Sequence, residues 1–501
     1  MENLLSILIF IPLLAALILA IFLRGDDDAA QRNAKWLAVT ATGATFFMAL
    51  ILWFAFEPGT PDFQFVEERR WLFGVTYRVG VDGVSLAFVM VISAFMPLVV
   101  IASWAVSERV RDYIIALLTA ETLFLGAVLS LDLAFLVLFF EAAIIPLAIM
   151  AGLWGKKGAG IPALKAVLYA TPGAVLMVVA LSALGREAGS TDLTAILRHN
   201  VSTEPIDLLG LTAFGGSQTL IVLGMAWSIA VKAPLWPFHT WLPDLAGKAP
   251  LPATMTLAGL GGLLAVYGVL RFWLPVLPAG VAELAPYMMA LLLFGLLAVT
   301  LSALVQEHLR RLLAYLAAAF AAWPILALLT MDQRGIDGAL LLMATQAFVL
   351  GGLFLAAVSL ESRLRSDEFS LMGGIRLRSP LFAFLLLVLV LSAFGMPGTG
   401  VFIGLLLSVY GVVSASPVMG LLLALSAVPL AAVAMTLYRR VALGDALRES
   451  VRTLPRLVGR ERLGLGLAAA IAVALGVWPG LLLDRTGGAT SDIVAILEAA
   501  R

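Results

Sequence analysis

"MAWSIAVKAPLWPFHTWLPD", residues 225–244, decides how the rest of the chain is read. It opens as an apolar run suited to lipid, yet Lys232 stands within it and Pro234 and Pro237 follow at once. A lysine at membrane depth is costly unless it is paired or wetted. A proline inside a helix removes a backbone hydrogen bond and crowds the preceding turn. In lipid the freed carbonyls need protein or water as partners. Cation and break together mark a membrane helix that opens onto something polar.

The composition agrees with that setting. Hydrophobic residues make up 62% of the 501 positions and charged ones 13%, against about half and about a quarter in soluble domains. The expected fold is all-α and polytopic, one transmembrane domain over residues 1–501. A net charge of +0 leaves no footprint for nucleic acid. With no cysteine, the chain has no disulfides, Cys-ligated zinc or iron–sulfur clusters. His199, His239 and His308 are too scattered for a histidine metal site, so none is expected. The N-terminus "MENLLSILIFIPLLAALILAIFLRGDDD" lacks a basic n-region and a small-residue cleavage site, and reads as a first transmembrane helix.

A span needs roughly 20 apolar residues. Apolar runs between charged or Gly/Pro breaks give about fourteen spans, near 3–23, 35–56, 83–104, 112–130, 133–153, 162–184, 217–236, 252–274, 285–306, 310–330, 336–360, 380–403, 417–438 and 463–483. The largest polar stretches, 57–81, 185–216 and 440–462, read as loops. Loops after odd-numbered spans hold about 22 Lys and Arg, from Arg24, Arg32 and Lys35 to the cluster Arg439–Arg462, and the others about seven. That bias puts the odd loops in the cytoplasm and both termini on the periplasmic side. The basic stretch reads as a solvated face, with a lipid or partner contact as the other reading.

Span twelve carries a second break, "GMPGTG" at 395–400, five spans after the first. Paired discontinuous helices in matching halves point to an ion or substrate path. Glu141 lies inside span five, "LDLAFLVLFFEAAIIPLAIMAGLW", ahead of Pro146, and is the obvious partner for Lys232. Each favours the charged form of the other, so small changes in spacing or hydration move a proton on or off. A static buried ion pair is the alternative, though such pairs contribute little to stability. Glu121 in span four is a further candidate. Lys165, near the start of span six, either takes part or snorkels to the interface. His239 is a candidate for the cytoplasmic mouth or for a hydrogen-bonded loop. "GLGG" at 259–262 lies in an apolar span and is a packing feature, not a phosphate cradle.

"VKAPLWPFHTWLPD", "FFEAAIIPLAIMAGLWG", "ALVQEHLRRLLAYL", "GVDGVSLAFV" and "GMPGTG" resemble the subunit M family of bacterial respiratory complex I, within the antiporter-like group that includes Mrp-type cation/proton antiporters. The opening "ENLLSILIFIPLLAALIL" and "FQFVEERRWL" are closer to subunit M than to its sister subunits. The resemblance covers nearly the whole chain. It implies fourteen helices in two inverted five-helix repeats, here 112–274 and 285–440, with helices seven and twelve discontinuous. A cytoplasmic loop and last helix would fill 441–501. It also implies a membrane-arm subunit with no cofactor of its own, quinone, flavin and iron–sulfur clusters lying in other subunits, and a bacterial cytoplasmic (inner) membrane location beside other membrane-arm subunits and lipid. Glu141, Lys232, Lys165 and Glu121 match the family's first-repeat proton path.

Other positions depart from the family. Leu263 stands where span eight usually has a lysine, Phe320 and Gln346 where spans ten and eleven have histidines, and Leu405 where span twelve has a glutamate. Ala246 replaces a histidine found just after "HTWLPD" in many members. Leu and Phe neither titrate nor hold water, and Gln346 hydrogen-bonds but does not titrate. The resemblance therefore implies a component of an NADH-quinone oxidoreductase whose own pumping is in doubt. The alternatives are a non-pumping structural paralogue and a membrane partner in another antiporter-like assembly, such as a cation/proton exchanger or inorganic-carbon uptake.

Overall fold

The apolar runs become helices. The computed structural model describes residues 3–23, 25, 27–70, 76–208, 211–444 and 449–500. Of the residues used above, Arg24, Trp71, Leu72 and the 445–448 part of the basic stretch lie outside that set.

α1 (Leu4–Phe22), α2 (Asp28–Ala55), α3 (Gly83–Ala102) and α4 (Val110–Leu129) come first. α5 (Leu133–Ala142) and α6 (Ile144–Leu153) divide the fifth expected span, and α7 (Gly160–Ala188) and the short α8 (Leu193–Ile196) follow. α9 (Ser217–Lys232), α10 (Trp241–Lys248), α11 (Leu251–Gly268), α12 (Leu274–Val276), α13 (Pro278–Leu304), α14 (Leu309–Leu328) and α15 (Gln333–Leu364) form the middle. α16 (Ile375–Arg378), α17 (Pro380–Ala393), α18 (Gly400–Ala415), α19 (Pro417–Ala442), α20 (Glu449–Arg452), α21 (Gly459–Val477) and α22 (Gly480–Ala499) close the chain. Aspartates start several of them. Asp82, Asp132 and Asp332 accept from first-turn amides at Ser85, Ala134 and Gly335 (2.8, 2.9 and 2.7 Å), each such cap contributing about 1 kcal/mol.

Eleven helices among the described residues are long and apolar enough to cross a membrane, twelve when α21 and α22 count as one bent span. Three shorter apolar helices, α9, α17 and α18, fall where spans seven and twelve were expected. The chain is a multi-pass membrane protein. α11, α14 and α15 are almost wholly buried, with α15 as the central pillar, whereas α7 and α19 bury about a third of their apolar stretch. Their exposed Leu164, Leu168, Val179, Leu421 and Leu425 face lipid or a partner.

Four expectations about segments need correction. The 185–216 loop holds α8 and an antiparallel pair of strands, Ile206–Leu208 with Leu211–Ala213. The 57–81 loop contains an antiparallel hairpin, β1 (Gln64–Arg70) with β2 (Thr76–Val81), irregular between Gln64 and Glu67. Glu67 accepts from the Leu5 amide at 2.7 Å, which ties the hairpin to the start of α1. Span twelve does not end near 403, because α18 runs to Ala415. The expected last helix, 463–483, is two helices bent by 64°, because Pro479 cannot continue α21.

Candidate functional site

α9 stops at Lys232 because Pro234 and Pro237 supply no amide hydrogens. α5 ends one residue after Glu141, and only Ala143, which keeps helical dihedrals, separates it from α6, so Glu141 sits inside one span ahead of Pro146. The end of α9 and the middle of the α5–α6 span thus bring opposite charges together. Lys232 Nζ lies 2.6 Å from Glu141 Oε2. It also donates to Ser228 Oγ at 2.9 Å, and that hydroxyl donates to Glu141 Oε1 at 2.6 Å. Ser228, which the sequence reading missed, therefore bridges the pair. It precedes Lys232 by four residues, the spacing that places side chains on one helix face. The Phe140 ring lies 4.6 Å from the ammonium. The two charged side chains are 7% and 12% exposed, so the pair is nearly but not fully sealed.

Glycines permit this approach. A Cβ at Gly173 of α7 would come within 2.9 Å of the Ser228 backbone, and one at Gly261 of α11 within 2.9 Å of the Lys232 carbonyl. The arrangement can pass a proton directly between ammonium and carboxylate, or through the Ser228 hydroxyl, which accepts from one and donates to the other.

The other candidates are spread out. Lys165 Nζ pairs with Asp244 Oδ2 at 2.6 Å and donates to the Thr240 carbonyl at 3.3 Å, so it joins the "HTWLPD" segment rather than the Glu141 pair. His239 is buried against Tyr315, with ring centroids 5.9 Å apart and no partner for Nδ1. Burial, and then the Lys165 charge, push its pKa down, so the imidazole is neutral at pH 7. Glu121 is fully buried, and neither carboxyl oxygen has a hydrogen-bond partner. His308, read as a solvated loop residue, lies half exposed with Nδ1 3.4 Å from Asp367.

Leu263, Phe320 and Gln346 line one cavity of about 30 Å³, room for about one water. Leu405 is buried and fills the break between α17 and α18, 2.7 Å from where a Cβ on Gly395 would sit. Ala246 is buried, and its carbonyl accepts from Arg310 at 3.3 Å.

A second buried pair went unread. Arg271, on the π-turn Val269–Trp273, donates to Asp82 Oδ1 and Oδ2 at 2.7 and 2.8 Å. It also reaches Ser85 Oγ at 2.9 Å and Tyr267 OH at 3.3 Å. The pair forms part of the wall of a cavity of about 690 Å³, which is also lined by Phe63, Arg78, Arg198 and Asp492. An arginine inside the apolar run "YGVLRFW" was the available signal, by the rule that picked out Lys232. Among the described residues no three His, Asp or Glu side chains gather as a metal site would require.

The profile of the family described as NADH:quinone oxidoreductase/Mrp antiporter, TM, matches residues 130–430. NADH-quinone oxidoreductase subunit M of Rhodobacter capsulatus is 38% identical over 99% of this chain and 97% of its own length. The chain belongs to the subunit M family. Another relative of this subunit M chain is NADH-ubiquinone oxidoreductase chain 4 of Marchantia polymorpha, 29% identical over 98% of this chain and 97% of its own. Among solved structures, respiratory complex I from Thermus thermophilus superposes with a TM-score of 0.87 at 26% identity, covering 98% and 99% of the two chains. The Mrp complex from Dietzia shares the fold, with a TM-score of 0.82 at 17% identity, covering 98% and 99%.

Proposed function

We propose that this chain is the subunit M component in the membrane arm of an NADH–quinone oxidoreductase, and that Glu141 and Lys232 form a switchable charge pair coupled to quinone reduction in other subunits. The observation that carries the reading is the 2.6 Å contact between Lys232 and Glu141, nearly buried, where α9 breaks off. The bridging Ser228 hydroxyl gives a proton a second route between the two groups. In the closed arrangement each group holds the other charged. Separation or drying removes that support, and the lysine then gives up its proton. Lys165–Asp244 and His239 would form the cytoplasmic approach, with Glu121 held in reserve between α4 and its neighbours. The setting is a bacterial cytoplasmic membrane with both termini periplasmic, two inverted repeats at 112–274 and 285–440, and other membrane-arm subunits, antiporter-like ones among them, as partners. Redox cofactors belong to the partner subunits.

A second reading has its own support. Leu263 at the end of the first repeat and Phe320 and Leu405 in the second stand where the family has titratable groups, which favours a subunit that transmits an electrostatic signal along the arm without completing a proton path. One measurement separates the two. In the assembled complex, Lys232→Ala is expected to lower the proton-to-electron ratio more than Arg439→Ala, a change at an exposed cation. Equal, small effects on the ratio would remove the proton role and leave the scaffold.

A further inference from the structure

We infer that the ends of α2, α3 and α21 form a binding site for the phosphate of an anionic phospholipid headgroup. Trp104, just past α3, is the centre of the site. Lys35 of α2 reaches it and donates to the Trp104 and Val106 carbonyls at 3.0 and 2.7 Å. Those bonds use two of the three donors of an ammonium. Arg460 of α21 lies over the Trp104 ring at 5.3 Å, exposed. Neither cation has a carboxylate within ion-pair distance among the described residues. Their charges are close enough to repel. The acid nearest in sequence to Arg460, Glu461, is held by Arg363 at 2.5 Å. Arg32, exposed one turn before Lys35, adds a third positive charge.

The surroundings suit a lipid. Trp36 is 57% exposed and meets Trp104 edge-on, with centroids 5.7 Å apart. Amphipathic indole rings of this kind sit at headgroup level. A Cβ on Gly459, at the start of α21, would meet nothing within 4 Å. One turn further along each helix, a Cβ on Gly464 would lie 2.6 Å from Leu355 and 3.6 Å from Ile101, so α21 approaches α3 and α15 closely there. Two cations without a carboxylate partner and an exposed indole at one membrane edge call for a negatively charged group attached to acyl chains.

The test uses the full-length chain in detergent, with bound lipid counted by native mass spectrometry. The probes are phosphatidylglycerol, phosphatidylcholine and inorganic phosphate. The wild-type chain should retain phosphatidylglycerol over phosphatidylcholine. Arg460→Gln, which touches no internal bond, should weaken phosphatidylglycerol binding about fivefold, and Lys35→Met with Arg460→Gln about fivefold more. Lys35→Arg should bind as wild type, and so should Arg311→Gln, at an exposed cation elsewhere. Equal retention of the two lipids, or wild-type binding by Arg460→Gln, would overturn the assignment. Displacement of the lipid by inorganic phosphate alone would make the site a phosphate site and would also overturn it.

Discussion

Lys232 and Arg271 are both cations within apolar helices, and each is neutralised in a different way. Lys232 has one carboxylate and one hydroxyl, a set that can rearrange. Arg271 has a two-pronged bond to Asp82 plus Ser85 and Tyr267, a set that locks it in place. Removing one partner of a buried pair costs about 3–5 kcal/mol, because the other is left alone, whereas removing both is often tolerated. Arg271→Leu is therefore expected to lower the thermal midpoint of the purified chain sharply. Asp82→Asn added to it, which keeps the α3 cap, should restore most of the loss. No recovery in the double variant would show that the guanidinium acts through some other contact. Asp82 also sets an acid limit. Burial raises its pKa, but Arg271 and the Ser85 bonds outweigh that and hold the carboxyl below the ordinary range. A lowered folded pKa gives stability that is present above about pH 4 and lost as pH falls further. The midpoint of the wild-type chain should drop on acidification through that range, and that of Asp82→Asn should drop less.

At the scale of elements, close backbone approach positions the site. Gly261→Val would press a side chain onto the Lys232 carbonyl, and overpacking of this kind costs about 1–3 kcal/mol. Gly262→Ala, whose nearest neighbour would be the Ala321 methyl at 3.5 Å, should be neutral. Equal midpoints for the two variants would remove Gly261 from the packing of the site. The helices and both broken segments were legible in the sequence because apolar runs, prolines and a lone lysine are strong local signals. The Glu141–Lys232 contact was legible for the same reason, since a charge in an apolar run demands a partner. Ser228 was not, because a serine in a helix is ordinary until its neighbours in space are known. The 64–81 hairpin was missed because its charged strand, "QFVEERR", looks like any polar loop. Arg271 lay near the end of an expected span, where a snorkelling cation is unremarkable, and only the fold brings Asp82 to it. The extra helix α22 mixes charges with apolar residues, which masks a helix that packs against the start of α3.

Over the whole molecule the two halves differ. Glu141 and Lys232 are in contact in one half, while in the other Phe320 and Leu405 are buried side chains that neither ionise nor hydrogen-bond to water. A high-resolution density map of the complex is expected to show about one water beside Gln346 and none around Leu405. A continuous water file from Lys232 past Leu405 would overturn that picture. The long-range pairs also bear on how the chain is made. Asp82 and Arg271 are 189 residues apart, against 91 for Glu141 and Lys232. At translation rates of about 5–20 residues per second, the ribosome needs roughly ten to forty seconds to deliver Arg271 after Asp82 has emerged. During that interval α3 carries an uncompensated acid at its entry into the bilayer. Until Arg271 arrives, that carboxylate depends on water at the bilayer edge and on Ser85 alone.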